Sequence, residues 1–193
     1  MEENIGAFNI YLCGVGGQGI GLLTEILLRS SDYAGQRAKA VDTHGLAQRG
    51  GVVVSHLRIG EQIRSPMVSA RRADLVIGLE RHEALRGADY ALRNHGVLIY
   101  YDTVIQPLGV RLGSDRAVSQ ATVEQHCSER DITVHRILGD SVSDSRMQNI
   151  VVLAHIFKKN LVPLLRKEHF LKAMEDLMEG AMLEKNVALF HSI

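Results

Sequence analysis

The fold is decided near the start of the chain, where residues 9–28 read NIYLCGVGGQGIGLLTEILL. The first five of these residues, Asn9–Cys13, form a short apolar run that is typical of a buried β-strand. Four glycines within the next six residues indicate a tight turn, and the apolar spacing from Ile20 onward predicts a helix. Strand, glycine turn and helix in this order favour an α/β domain with a parallel sheet.

The glycine turn is a candidate anion-binding site. Gly14, Gly16 and Gly19 satisfy the pattern G-x-G-x-x-G, with Gly17 as a further glycine and Gln18 beside it. Glycine reaches positive φ and lets a ligand approach the backbone closely. The helix that follows presents free N–H groups and the positive end of its dipole, which suits a phosphate, a carboxylate or a carbonyl of another chain. The alternative is a tight connection that only packs the helix on the sheet.

Composition argues against several classes of function. The chain of 193 residues is long enough for one domain with a complete core, and we expect a single domain over 1–193. Lys+Arg and Asp+Glu are balanced at 22 each, so no overall charge attracts nucleic acid or a membrane surface. The two cysteines and nine histidines lack metal-ligand spacing, and we find no complete catalytic motif. The start of the chain lacks a signal-peptide pattern and no long apolar stretch follows, which predicts a cytoplasmic protein.

The remaining pattern predicts a three-layer, Rossmann-like α/β domain with a mostly parallel sheet, an antiparallel insertion near 52–65 and a helical C-terminal tail. The turn at Gly60 indicates a hairpin between strand 52–59 and Ile63-Arg64. We expect helix 80–92 to end at Gly96, and Ser143 or Asp144 to cap the first helix of the tail. The other predicted elements are strands 37–41, 73–79, 97–101 and 132–137 and helices 122–128, 147–157, 170–178 and 181–186.

Two single residues leave alternatives open. Asp42 ends the second predicted strand, where a dinucleotide-binding fold holds a ribose hydroxyl, so a stand-alone NAD(P)- or FAD-dependent oxidoreductase remains an alternative. Against it, the chain after Asp42 enters a polar loop instead of a crossover helix. Cys13 is expected to be a buried small hydrophobe, although the following helix N-terminus favours a lowered thiol pKa.

The polar loop that follows Asp42 reads THGLAQRGG over residues 43–51. Its hydrogen-bonding side chains, His44, Gln48 and Arg49, lie between glycines that permit unusual backbone angles. Such a loop can grip an anion or another protein chain, and the alternative is an ordinary polar connection.

These motifs together resemble the gamma subunit or domain of 2-oxoacid:ferredoxin oxidoreductases. Within that family the form His-Gly-x-x-Gln-Arg-Gly-Gly is most similar to the small (beta) subunits of the indolepyruvate type. The resemblance is dense from about Ile10 to Tyr100. It rests on Gly14–Gly19, Thr43–Gly51, Ser55–Arg58, Ala73–Val76, Glu80 and Glu83–Arg86.

The resemblance implies a role in a complex. Enzymes of this family oxidatively decarboxylate 2-oxoacids to acyl-CoA and pass electrons to ferredoxin, with thiamine diphosphate and Fe–S clusters held by other domains or subunits. The chain is then expected to bind no cofactor by itself, to be inactive alone and to pack against a large catalytic subunit. The resemblance implies an anion- or coenzyme A-binding turn at Gly14, Gly16, Gly17, Gln18 and Gly19. It also implies a loop facing the partner or the active site, with His44, Gln48, Arg49, Gly50, Gly51 and His56.

Overall fold

The computed structural model describes residues 6–43, 51–105, 117–138 and 147–193, and these ranges contain six strands and six helices. The strands are β1 (Phe8–Val15), β2 (Ala38–Thr43), β3 (Val52–Ile59), β4 (Ala73–Gly78), β5 (Leu92–Asp102) and β6 (Thr133–Leu138). The helices are α1 (Ile20–Tyr33), α2 (Arg81–Tyr90), α3 (Gln120–Ser128), α4 (Gln148–Lys158), α5 (Lys167–Leu177) and α6 (Gly180–Ser192).

The strands form one mixed sheet in the order β2-β3-β1-β4-β5-β6. Strands β1, β4, β5 and β6 are parallel, whereas β3 is antiparallel to both of its neighbours, β1 and β2. The predicted parallel sheet with an antiparallel insertion is confirmed. The predicted hairpin between β3 and Ile63-Arg64 is wrong, because β3 pairs along its whole length with β1 on one side and is paired by β2 on the other. Pairing on both edges satisfies more backbone groups than a two-residue hairpin partner offers.

Helices cover both faces of the sheet, which confirms the three layers. Alternation along β1 sends Ile10 and Leu12 to one face, where they pack in a core with residues of α1, α4, α5 and α6. Tyr11 and Cys13 point to the other face, where they pack with residues of α2 and α3. In the described ranges no helix is long and apolar enough to cross a membrane.

Helix α2 is shorter than predicted. It ends at Tyr90, and β5 begins at Leu92 and runs through Gly96 instead of starting after it. Leu92 is fully buried and pairs with Ala73 of β4, next to a bulge in the ladder. It was predicted as helical because it follows Ala88 by four residues, although it is a core residue of β5. Arg130 secures this junction by donating to the carbonyl oxygens of Ala88, at 2.7 Å, and Leu92.

The C-terminal tail is helical as predicted, and its last helix is longer than the sequence indicated, reaching Ser192. The rings of Phe157, Phe170 and Phe190 lie 5.7–6.2 Å apart and join α4, α5 and α6. The predicted caps Ser143 and Asp144 lie outside the described residues.

Candidate functional site

The glycine turn connects β1 to α1 at the carboxyl edge of the parallel strands. Gly17 and Gly19 have φ values of 99° and 80°, which glycine adopts without strain. Gly17 is exposed, and a Cβ placed on it would meet no atom within 4 Å. The structure therefore leaves open space in front of Gly17.

Gln18 has a different place from its neighbours, because its side chain is buried and turned inward. Its Oε1 accepts a hydrogen bond from the backbone N–H of Val15 at 2.6 Å, and its Nε2 donates to the carbonyl oxygen of Leu79 at 2.6 Å. The amide thus joins the end of β1 to the end of β4. Gln18 fixes the shape of the turn, and both of these polar atoms are already bound within the chain.

The outer glycines of the motif are close-packed. A Cβ on Gly14 would lie 2.8 Å from Oε1 of Gln18, and one on Gly19 would lie 2.6 Å from Nδ2 of Asn149 at the start of α4. The Nδ2 of Asn149 donates to the carbonyl oxygen of Gly19 at 3.4 Å. A side chain at Gly14 or Gly19 would therefore clash with its neighbours, whereas Gly17 is exposed and faces open space.

The N-terminus of α1 remains suited to an anion. Its N-cap residue is Gly19, which has no side chain, and no side-chain hydrogen bond caps the helix in the described structure. The first N–H groups of a helix have no partner within the helix and carry partial positive charge. The turn also lies between β1 and β4, where the sheet order reverses and where open α/β sheets bind ligands.

Asp42 does not take the place that a dinucleotide-binding fold requires. In that fold the second strand lies beside the first, whereas here β3 separates β2 from β1 by a further strand spacing of about 4.8 Å. The Oδ1 of Asp42 accepts a hydrogen bond from the hydroxyl of Ser55 at 2.5 Å. This arrangement disfavours the stand-alone dehydrogenase.

The polar loop is described only at its ends. His44, Gln48, Arg49 and Gly50 lie outside the described residues. The carbonyl oxygen of Gly51 accepts a hydrogen bond from the N–H of Gly16 at 2.8 Å, so the end of the loop is tied to the glycine turn. The two stretches singled out in the sequence thus meet at this point.

His56, the last predicted residue of that loop group, lies in the interior. Its side chain is on β3, where Nδ1 accepts a hydrogen bond from the N–H of Val68 at 3.1 Å and the ring packs edge-on against Tyr11 at 5.1 Å. Burial lowers the pKa of His56, which favours the neutral imidazole. In the described chain His56 is a packing residue of the sheet.

Cys13 is a buried hydrophobe, as expected, and its alternative role is excluded. The Sγ donates to the carbonyl oxygen of Glu83 at 3.1 Å. Burial, reinforced by the nearby carboxylates Glu83 and Glu80, raises the pKa of the thiol. The lowered pKa that the helix N-terminus favoured is therefore wrong, because the thiol is buried beside two carboxylates on the face of the sheet covered by α2.

Sequence reasoning missed a charged cluster farther along the same edge, at the ends of β5 and β6. Asp102 accepts hydrogen bonds from Nε of Arg81 and Nε of Arg136, each at 2.5 Å. Burial by itself raises the pKa of Asp102, but the bonds from Arg81 and Arg136 outweigh it and hold that pKa below its ordinary value. The available signal was an aspartate directly after an apolar strand, since that position lies at the carboxyl edge.

A buried Glu80–His82 pair lies beside this cluster. The Oε1 of Glu80 is 3.0 Å from Nδ1 of His82, and its Oε2 accepts from the N–H of Glu83 at 2.9 Å. The Nε2 of His82 accepts from the N–H of Val118 at 3.0 Å, so the ring proton is on Nδ1. Among the described residues no group of three His, Cys, Asp or Glu side chains is placed to hold a metal ion.

Known proteins resemble this chain in sequence and in fold. The chain is 30% identical over 190 residues to indolepyruvate oxidoreductase subunit IorB of Archaeoglobus fulgidus, covering 93% of this chain and 90% of that protein. Its fold is similar to that of the keto/oxoacid ferredoxin oxidoreductase gamma subunit from Geobacter sulfurreducens, with a TM-score of 0.64, 21% identity and 95% and 94% of the two chains covered.

A larger protein contains the same fold as one part. The structure of 2-oxoglutarate:ferredoxin oxidoreductase from Magnetococcus marinus matches with a TM-score of 0.67 and 13% identity, over 96% of this chain and 30% of that one. Residues 9–192 match the family model described as pyruvate ferredoxin/flavodoxin oxidoreductase. The chain therefore belongs to the pyruvate ferredoxin/flavodoxin oxidoreductase family.

Proposed function

We propose that this chain is the small, gamma-type subunit of a thiamine diphosphate-dependent 2-oxoacid:ferredoxin oxidoreductase of the indolepyruvate type. It packs against a large catalytic chain in the cytoplasm, and the complex passes electrons through Fe–S clusters to ferredoxin. Thiamine diphosphate, held by the partner, supplies the electron sink for decarboxylation, and the isolated small chain is inactive. Membership of the family and the name of the Archaeoglobus fulgidus relative support this assignment.

The glycine turn is proposed to form part of the coenzyme A site of the complex. The observation that carries this proposal is the uncapped N-terminus of α1 behind the exposed Gly17. Coenzyme A bears phosphates, which backbone N–H groups at a helix N-terminus bind well. The Magnetococcus marinus protein, which shares the fold, is described with coenzyme A bound.

The loop with His44, Gln48 and Arg49 is proposed to face the catalytic partner. Its end at Gly51 is hydrogen-bonded to the glycine turn. A catalytic partner that completes a coenzyme A site at the turn would therefore also lie close to this loop. An arginine offers five donors in a planar fork, which suits carboxylates and backbone carbonyls of another chain. We expect Arg49→Ala to weaken assembly by about 2 kcal/mol, as loss of a buried interface arginine often does.

The test is co-expression with the large chain, followed by co-purification and steady-state kinetics with indolepyruvate and coenzyme A. Gly17→Asp places a carboxylate in the open space before the turn, where it repels an anionic ligand. We expect the complex to assemble normally and the KM for coenzyme A to rise about tenfold, which corresponds to about 1.4 kcal/mol. A matched control is Gly35→Asp, since Gly35 also has positive φ and open space but lies at the other end of α1.

Each part of the proposal can be refuted by a separate result. If the small chain does not co-purify with the large one, the subunit assignment is wrong. If the complex assembles and Gly17→Asp changes the coenzyme A KM no more than Gly35→Asp, the turn is not part of that site. Indolepyruvate-dependent dye reduction by the small chain alone would contradict the expectation that it is inactive.

A further inference from the structure

The cluster of Arg81, Asp102 and Arg136 presents two positively charged groups held side by side. Each arginine uses its Nε to bind one oxygen of Asp102. Of the terminal Nη groups, only Nη1 of Arg81 has a further bond within the described ranges, to the carbonyl oxygen of Val118 at 3.4 Å. Asp102 thus orients two guanidinium groups, and most of their terminal donors have no partner among the described residues.

A buried hydroxyl without a partner lies next to this cluster. Tyr100 is fully buried, and its OH has no hydrogen-bond partner in the described part of the chain. Tyr100 precedes Asp102 by two residues, so both side chains leave the same face of β5, and it is in register with Arg136 on β6. Because buried polar groups in native proteins are nearly always hydrogen-bonded, this hydroxyl indicates a partner that the described residues do not supply.

The two guanidinium groups favour an anion as that partner. Burial raises the pKa of Tyr100 to about 12, so its hydroxyl remains a donor at neutral pH. The Glu80 carboxylate nearby is bound to His82, Glu83 and Ile105, and the Glu124 carboxylate is bound to Gln120. The side chains of Arg81 and Arg136 are 21% and 33% exposed, so a small ligand can reach them while solvent screening is reduced.

We propose that Arg81, Arg136 and Tyr100 bind an oxyanion, namely a phosphate or carboxylate group of a soluble ligand, with Asp102 as the residue that positions both arginines. Paired guanidinium groups suit such a group because they donate several charge-assisted hydrogen bonds to its oxygens. The site belongs to the face covered by α2 and α3, opposite α1. It is separated from the glycine turn by β4, about 10 Å across the sheet, so it does not depend on the function proposed above.

Calorimetric titration of the full chain with inorganic phosphate, pyrophosphate and succinate tests the site. We expect at least one of these anions to bind, with the phosphate and carboxylate probes separating the two sources of oxyanion. The double variant Arg81→Gln/Arg136→Gln should weaken the binding at least tenfold. Arg93→Gln is the matched control, because Arg93 pairs with Asp74 at 2.8 Å on the same face but at the opposite edge of the sheet, and it should change the affinity less than twofold.

Two further variants keep the test decisive if the double variant fails to fold. Arg136→Lys retains the charge but not the planar fork, and it should weaken binding several-fold. Tyr100→Phe should weaken binding as well while leaving the melting temperature equal or higher, because it removes a buried hydroxyl without a partner. The proposal is overturned if none of the three anions binds the wild-type chain at millimolar concentration, or if Arg93→Gln weakens binding as much as the cluster variants. Unchanged affinity in Tyr100→Phe would remove Tyr100 from the site.

Discussion

Replacing Gln18 by leucine tests whether the glycine turn is held by the amide bridge between β1 and β4. Leucine has a similar volume, so the substitution removes the hydrogen bonds without leaving a large cavity. The N–H of Val15 and the carbonyl oxygen of Leu79 both lose their partner at a site where Gln18 is only 4% exposed. Each buried group left unsatisfied costs about 1–3 kcal/mol, so we expect a loss of about 3 kcal/mol in the free energy of unfolding.

The assay is thermal and urea unfolding of the full chain. For a chain of this length 1 kcal/mol corresponds to about 2–4 °C, which predicts a melting temperature lowered by roughly 6–12 °C. Gln125→Leu is the matched control, because Gln125 also uses its amide in a hydrogen bond, to Glu129 at 3.1 Å, but on the exposed side of α3. It should change stability by less than about 0.5 kcal/mol.

Equal melting temperatures for Gln18→Leu and Gln125→Leu would refute the bridge. A stable Gln18→Leu protein whose complex has lost its coenzyme A dependence would instead make Gln18 a ligand contact, as the sequence resemblance implied. The experiment therefore separates a role in shaping the turn from a role in binding.

Two other properties follow from buried groups. Because the arginines hold the pKa of Asp102 below its ordinary value, its contribution to stability is present above about pH 4 and is lost as the pH falls through the lower folded-state value. In urea unfolding between pH 2 and 7, Asp102→Asn should be less stable than the wild type at pH 7, and its free energy of unfolding should fall less as the pH is lowered. Parallel curves of unfolding free energy against pH for the two proteins would contradict this. Cys13 and Cys127 are buried with raised thiol pKa values, that of Cys127 to about 11. Ellman's reagent at pH 8 should therefore react with both only after denaturation, and rapid reaction of the native chain would show that the burial is incomplete.

The sequence was sufficient for the fold where local patterns coincide with sheet positions. The apolar run of β1, the glycine turn and the β-branched run of β3 have strong periodicity, and their bounds were predicted within a few residues. The pairing of β3 could not be predicted in the same way, because a strand's partners depend on backbone groups far apart in sequence. The end of α2 was missed because Leu92 serves β5 while keeping helical spacing with Ala88.

The candidate site shows the same division. The pattern of glycines located the turn, but only the structure distinguishes Gly17, which faces open space, from Gly19, which packs against Asn149 of a helix 130 residues later in the chain. The cluster of Arg81, Asp102 and Arg136 joins α2, β5 and β6, so no local motif contains it. Contacts of this kind arise from the topology of the sheet. In the sequence their members are isolated charged residues, so their contact could not be predicted.

Topology also explains why the end of the polar loop, at Gly51, meets the glycine turn. Because β3 is antiparallel and lies between β1 and β2, β2 ends and β3 begins at the edge where β1 enters its turn. The connection from Thr43 to Gly51 therefore starts at the same edge of the sheet as the turn and finishes beside Gly16, where the N–H of Gly16 donates to the carbonyl oxygen of Gly51 at 2.8 Å. A sheet in the dinucleotide-binding order would place a crossover helix after β2 and would carry the chain away from this edge. The inserted strand β3 thus moves Asp42 away from the place where a dinucleotide-binding fold has its ribose-binding acid. It also brings Gly51, at the start of that strand, into contact with the glycine turn.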